Sequence, residues 1–350
     1  MPTVNYFKTS LAIISTVLYK LPGCHSYTRI TQRSTPRTFA AFNDVPLTGG
    51  YVVMPFEPTS SAPIVLIEPT YVEHLPLHLP TTSGACQLSA IGELAERSFY
   101  ADAFAKVKAK LTNGALQKIV LSRRLHVEVS HPCDEETLFL RACHNRPDSY
   151  VALWSTPQTG AWLVATPEPL LRKSHSAFST VALAGTQPAE AVTQWSEKNQ
   201  KEQAIVAQFV EQAIRQETAD VHRSECHTLC YGNLHHLCTD FTFTLRSEES
   251  MRRLLQGLHP TPAVCGWPQG KALHAIIEAE QTSRMYYAGF SGPLCMAGET
   301  HLFVSLRCMQ LRGSCATLYA GGGIMPESTE QEEWDETCRK LETMLEVLRG

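Results

Sequence analysis

The 350-residue sequence has no marked excess of either charge, no internal repeat, no low-complexity tract and no clear linker. Each absence removes a class of protein. A net charge of −4 sets up no basic field, which argues against nucleic acid as a partner. An apolar stretch near the N-terminus, Leu11 to Tyr19 (LAIISTVLY), is too short to span a membrane. It follows Lys8, as the core of a secretory signal would. Ser15 and Thr16 interrupt it, however, and Lys20-Leu-Pro-Gly stands where a small-residue cleavage site belongs. The stretch is therefore read as a first helix packed on the body. Twelve cysteines lack the dense, regular spacing of a small disulfide scaffold. In a chain this long they read as free thiols in a reducing, cytoplasmic compartment. With 43% hydrophobic and 18% charged residues, the composition is that of a soluble globular protein. The length allows a large core, and the lack of a linker favours one domain over 1–350.

Periodicity then gives the elements. Strands and loops are expected from 35 to 75. Ile91 to Gly114 has helical spacing and a closing glycine. Leu116 to Val129 is a long strand candidate, and DEETLFLRACHN a short helix. SYVALWSTPQTGAWLVAT reads as a hairpin around Pro-Gln-Thr-Gly. Gln194 to Gln216 is a helix with Ser196 as N-cap, and Leu234 to Leu245 a strand. MRRLLQGLHP is a helix stopped by Gly257 and Pro260, and GKALHAIIEAEQTS is another. RMYYAGFSGPL ends in turn residues. HLFVSLRCMQLRGSCATLYAGGGI reads as a hairpin before a last helix. Long antiparallel pairs mixed with helices predict an α+β fold, not a doubly wound parallel sheet.

Several residues could carry chemistry. Glu327 to Glu336 crowds six acidic side chains at a helix start, directly after the glycine run of LYAGGGI. Glu330 and Glu332 are read as complements of the helix dipole. Glu333 and Glu336 are three apart and share one face. Glu202 has helical spacing from Ile205, Val206 and Phe209, so it points towards packed structure. Such a carboxylate must be paired, protonated or bound to a metal. Glu168 lies between two prolines that fix its backbone. Lys118 opens a strand and, by position alone, is a solvated edge charge. The small residues of ALAGT let a ligand approach the backbone closely. His259, held among prolines, reads as structural.

The order of KIVLSR, ATPEPLL, ALAGT, EKNQKE, HPTPAVCGWP, RMYYAGFSG, VSLR, LYAGGGI and EEWDETCRKLETML resembles the chorismate-utilising enzymes, and among them the isochorismate synthases. The resemblance runs over 104–350, while 1–100 carries little of it. It implies a single large domain of two mostly antiparallel sheets packed together and flanked by helices, like anthranilate synthase component I. The substrate would be chorismate and the enzyme a monomer acting for menaquinone or siderophore biosynthesis, with no membrane partner. By resemblance, Lys118 would be the base that activates water for attack at C2, and Glu168 the acid that protonates the departing 4-hydroxyl. Glu202 and Glu336 would hold Mg²⁺, with Glu333 joining directly or through water. Arg307 and the backbone at Gly185, Gly322 and Gly323 would grip carboxylates, and Tyr319 would line the pocket. The chemistry is self-consistent. A dianion can share a pocket with carboxylates only if a cation lies between them, and Mg²⁺ suits an all-oxygen site. The base must be an uncharged amine, so a lysine must fall by roughly three pKa units, at a cost of about 4 kcal/mol. Glu168 must instead keep its proton, as buried acids can.

Three positions choose within the family. Lys118 resembles water-using members, where ammonia-using anthranilate synthases resemble Gln. Ala184 is not the lysine of relatives that form a covalent adduct. Ala263 resembles isochorismate synthases, where lyase-competent relatives tend to carry threonine. Asn199 departs from relatives that have an acidic group there. A salicylate synthase would share nearly every motif. A zinc-stabilised binding module is the reading from a different class: Cys226, Cys230, His235, His236 and Cys238 are all possible ligands, though their spacing is not that of a usual finger.

Overall fold

The computed structural model describes residues 14–78, 86–130, 134–190, 194–231 and 234–350. Short runs rich in β-branched and aromatic residues form β1 (Ser15–Lys20), β2 (Ser26–Gln32), β3 (Arg37–Phe39), β4 (Gly50–Met54), β5 (Ile64–Ile67), β6 (Tyr71–Pro76) and β7 (Leu88–Ile91). There follow α1 (Glu93–Thr112), β8 (Lys118–Val129), α2 (Glu135–Asn145), β9 (Tyr150–Thr156), β10 (Gly160–Thr166), β11 (Pro169–Ser174), β12 (Ala177–Pro188) and α3 (Glu197–Glu217). The chain continues through β13 (Val221–Arg223), β14 (His227–Tyr231), β15 (Leu234–Thr244), α4 (Glu248–Leu258), β16 (Gly266–Trp267) and α5 (Gln269–Glu280). It closes with β17 (Phe290–Leu294), β18 (Thr300–Val304), β19 (Cys308–Arg312), β20 (Cys315–Ile324) and α6 (Glu330–Arg349).

These strands make two sheets. The first runs β16-β8-β20-β19-β10-β9-β1-β2-β6, with β7 also on β8. The second runs β13-β15-β12-β11-β18-β17-β4-β5-β3, with β14 also on β15. The pairings are antiparallel, as the α+β reading expects. One apolar core lies between the sheets and draws Ile119, Trp154 and Trp162 from the first, and Val52, Phe241 and Phe303 from the second. A second core fills the outer side of the first sheet, where Leu138 and Phe139 of α2 meet Leu341 and Met344 of α6. The first hundred residues complete both sheets, β1, β2 and β6 on one and β3 to β5 on the other. No described helix is long and apolar enough to cross a membrane. Among the described cysteines, the buried Cys143, Cys238, Cys265 and Cys308 are free thiols.

Local signals set the helix ends. Ser196 Oγ accepts from Asn199 N at the start of α3, a cap worth about 1 kcal/mol. Thr329 and Glu332 form a reciprocal capping arrangement on α6. Four expectations need correction. Ser15–Lys20 is a strand, paired on both sides by β2 and β9, and not part of a first helix; residues 11–13 lie outside the described residues. Pairing on two flanks outweighs weak helical spacing. Helix α4 starts at Glu248, capped by Ser247, and runs through Gly257 because its apolar face is buried. Phe290–Leu294 is a buried strand and not a turn. The expected hairpin over 301–324 is really β19–β20 alone, since β18 belongs to the other sheet.

Candidate active site

Two crossovers between the sheets meet at one place. The chain leaves β10 in the first sheet and enters β11 in the second through Pro167–Glu168. It returns from β18 to β19 through Ser305–Arg307, where Arg307 takes φ +47°. The crossovers are tied together: Val304 N donates to Glu168 O (3.0 Å), and Ala165 N donates to Arg307 O (3.0 Å). A backbone that changes sheets cannot continue either ladder, so its side chains turn into the gap between them. A cleft of about 580 Å³, including its open mouth, lies here. Its walls bring together Glu168, Gly185, Glu202, Ala263, Arg307, Gly323 and Glu336.

Lys118 sits beneath this cleft with no exposed surface. Its Nζ is 2.9 Å from Glu202 Oε1. That is the distance of an ion pair, but no aligned hydrogen bond satisfies the ammonium. Gly323 makes the pair possible: a Cβ there would lie 2.1 Å from Glu202 Oε1 and 3.2 Å from Lys118 Cε. Strand β8, which carries Lys118, is held by a buried clamp. Glu280 accepts from Ser122 N (2.7 Å), while Arg284 donates to Glu280 and to the carbonyls of Val120 and Val264 (both 2.8 Å). The same clamp fixes the turn that presents Ala263.

Burial pushes the Glu168 carboxyl up to about 7, against the opposing pull of Lys118, Arg307 and Lys340. Near neutrality this acid can hold or give a proton, as an ordinary surface glutamate cannot.

Helix α6 supplies the other carboxylates from across Gly322, whose Cβ would meet Glu333 Oε2 at 2.8 Å and Glu336 Oε1 at 3.8 Å. Lys198 and Ser328 Oγ both bond Glu333 Oε1, but Glu333 Oε2 is buried with no hydrogen-bond partner. Lys340 Nζ donates to Glu336 Oε1 (2.6 Å) and to Gly321 O (2.8 Å). Burial and the neighbouring Glu336 charge raise the Glu333 carboxyl. Burial also works to raise Glu336, but Lys340, Lys198 and Arg339 outweigh it and hold that group low. Helix α6 is anchored by Arg123, which donates to Thr337 Oγ1 (2.7 Å) and lies over the Trp334 ring (3.8 Å). Of the other acids, Glu330 pairs with Arg97 and Glu332 serves the cap.

Glutamates 202, 333 and 336 thus flank the Gly322–Gly323 backbone, each matched by a lysine. The donors are all oxygen, and one buried carboxylate oxygen is orphaned. Both features fit a hard divalent cation that would replace lysine as the counter-charge.

Gly185 takes φ +74° at a bulge in β12, and a Cβ would lie 3.0 Å from Asn199 O. Asn199 Nδ2 in turn donates to Thr186 O (3.4 Å), so this side chain braces the bulge. Tyr319 does not line the cleft. Its ring stacks between Trp162 and Tyr287 in the core, and Tyr287 forms the wall instead. His259 is packed edge-on against Phe290 with Nε2 bonded to Pro55 O (3.0 Å), a structural histidine. Sequence reasoning missed three groups at the site. Lys340 and Lys198 each lie four residues from a site glutamate on the same helix, a spacing that could have flagged them. His236, which lines the cleft, gave no such signal. Its Nδ1 is 3.1 Å from Thr186 Oγ1 and its Nε2 3.5 Å from Arg307 Nη2; burial and that cation lower its pKa well below the usual range.

Comparison with known proteins identifies the family. A family profile described as chorismate binding enzyme matches residues 75–349, about thirty residues earlier than the sequence motifs alone. Isochorismate synthase EntC of Escherichia coli is 33% identical over 263 residues, covering 72% of this chain and 67% of that protein. A Bacillus anthracis structure assigned as a 2,3-dihydroxybenzoate-specific isochorismate synthase, DhbC, superposes with a TM-score of 0.83 at 25% identity, covering 95% of this chain and 96% of that one. Anthranilate synthase component I of Streptococcus pneumoniae shares the fold, with a TM-score of 0.71 at 17% identity over 98% of this chain and 95% of that one. A profile match through both crossovers and the helix that carries the paired carboxylates places this chain in the chorismate binding enzyme family.

Proposed function

We propose that this protein is an isochorismate synthase, adding water at C2 of chorismate with loss of the 4-hydroxyl. The observation that carries the reading is the pairing of a buried acid, Glu168 at about 7, with a fully buried lysine, Lys118, under one cleft. Lys118 takes the proton of the attacking water. The ring double bonds shift as the new C–O bond forms, and Glu168 gives its proton to the departing hydroxyl, which leaves as water. Solvent then resets both groups. Arg307 and the backbone at Gly185 and Gly323 face the substrate carboxylates. Mg²⁺ held by Glu202 and Glu336, with Glu333 assisting, would take over the Glu202 charge now paired with Lys118 and anchor a carboxylate of the ligand. The relatives' names also speak for chorismate chemistry, and Lys118, where ammonia-using relatives resemble Gln, speaks for water. The test is incubation of purified protein with chorismate and Mg²⁺. Isochorismate should accumulate without pyruvate; stoichiometric salicylate and pyruvate would make it a salicylate synthase instead, and no turnover would sink both.

Ala263 sets that product choice in the same reading. It is half-buried, on the cleft wall, and its neighbour Val264 is clamped by Arg284. Threonine there adds a methyl and a hydroxyl to a pocket that fits a compact ring. Reacting atoms must align at about 3–3.5 Å, so a small shift can redirect a bound intermediate. Ala263→Thr is expected to remain folded and Mg²⁺-dependent but to release measurable pyruvate with less free isochorismate. If the position only packs a turn, overpacking costs roughly 1–3 kcal/mol and lowers all products equally. An unchanged ratio of pyruvate to isochorismate at matched thermal stability removes the specificity role.

A further inference from the structure

The Cys/His-rich segment at 226–238 is divided by the fold. His236 goes to the cleft, and alternation along β15 puts His235 on the opposite face from Cys238. Cys238 and Asp240 are two apart on one strand and so share a face, and the antiparallel register sets His227 of β14 directly opposite Cys238. The result is a cluster no sequence spacing announced: one ligand atom each from His227, Cys238 and Asp240 lies within 4.8 Å of the others.

One ring nitrogen of His227 faces a carbonyl and the other a carboxylate. Its Nδ1 is 3.4 Å from the carbonyl oxygen of Glu225, which can only accept, so this contact favours the tautomer with the proton on Nδ1. In that tautomer Nε2 offers its lone pair 3.5 Å from Asp240 Oδ2. Two lone pairs face one another there unless a second proton or a cation lies between them. Cys238 is buried beside them, and burial, then Asp240, Glu168 and Cys226, push its thiol up to about 12. An imidazole, a thiol and a carboxylate around one point are the donor types of a tetrahedral zinc site.

We propose that His227, Cys238 and Asp240 bind a thiophilic divalent cation of the zinc type, clipping β14 to β15, with water completing the tetrahedral shell. On binding, the Cys238 proton is released to solvent and the sulfur bonds the metal; nothing is oxidised or reduced. The site lies outside the Glu202–Glu336 centre and uses softer ligands, so the two are separable.

The test uses the full-length protein, stripped with chelator and returned to excess Mg²⁺ to occupy any all-oxygen site. Titration with Co²⁺ should give one equivalent of binding with a thiolate-to-cobalt charge-transfer band, which Zn²⁺ bleaches. Cys238→Ser should abolish the band, and His227→Ala or Asp240→Asn should weaken binding by about tenfold or more. The latter two positions are exposed, so these variants stay informative if the buried Cys238→Ser fails to fold. Chorismate turnover in Mg²⁺ should stay near the parent level in both, which separates failure here from failure of the proposed activity. Absence of a thiolate band, or Co²⁺ affinity unchanged in His227→Ala and Asp240→Asn, overturns the proposal and leaves His227 and Asp240 as a plain surface ion pair.

Discussion

Lys118→Ala should abolish most isochorismate formation, by a factor of roughly 10²–10⁴, the usual worth of a positioned acid–base group. The site offers no substitute, because Lys340 and Lys198 are already committed to Glu336 and Glu333. The variant also leaves the Glu202 charge buried without its partner, a defect that can cost about 3–5 kcal/mol. Loss of turnover could then reflect lost folding, so Lys118→Gln is the companion. It keeps the volume and a donor for Glu202 but cannot accept a proton from water, and it should be as inactive while melting closer to the parent. Near-normal turnover in a folded Lys118→Ala protein would show the assignment to be wrong. Glu168 completes the argument. Its pKa is raised, so the neutral acid is present below about 7 and is lost as pH rises through that value. Infrared difference spectra should show a protonated carboxyl stretch that fades over this window and is missing in Glu168→Gln. A carboxylate already ionised at pH 5 would remove Glu168 as the proton donor.

Activity should vanish in excess chelator and return with Mg²⁺. Glu202→Gln and Glu336→Gln should raise the Mg²⁺ concentration for half-maximal rate and weaken chorismate binding together, since one cation would serve both. Glu333→Gln should be milder. A residue that supports metal ligands typically alters affinity by about 10–100-fold, and Glu333 already shares its Oε1 with Lys198 and Ser328. The contrast matters because every one of these glutamates also has a lysine partner. If the carboxylates served only to balance lysines, the variants would lose stability without any change in Mg²⁺ dependence. Full activity with chelator present would dispose of the metal altogether.

Much of this protein follows from local sequence. Ser196 before EKNQKE starts α3, and the Thr329–Glu332 pair starts α6, because a helix end needs side chains to satisfy its free amides. The alternation over 118–129 makes β8, and the inward setting of Glu202 follows from its spacing to Val206 and Phe209, all on the packed face. The family was legible for the same reason, since motifs are local. Which groups meet was not. The sequence does not say that β18 and β19 lie in different sheets, yet that crossing is what turns Arg307 into the cleft beside Glu168. It does not say which tyrosine reaches the wall, and Tyr287 takes the place expected of Tyr319. Nor does it say that Lys118, an edge charge by position, becomes fully buried against Glu202. Strand register and sheet membership are set by partners far along the chain, and a shift of one residue reverses every side chain. The residues that could do chemistry were therefore readable one by one, while their pairing, burial and protonation arise only where the two sheets close over them.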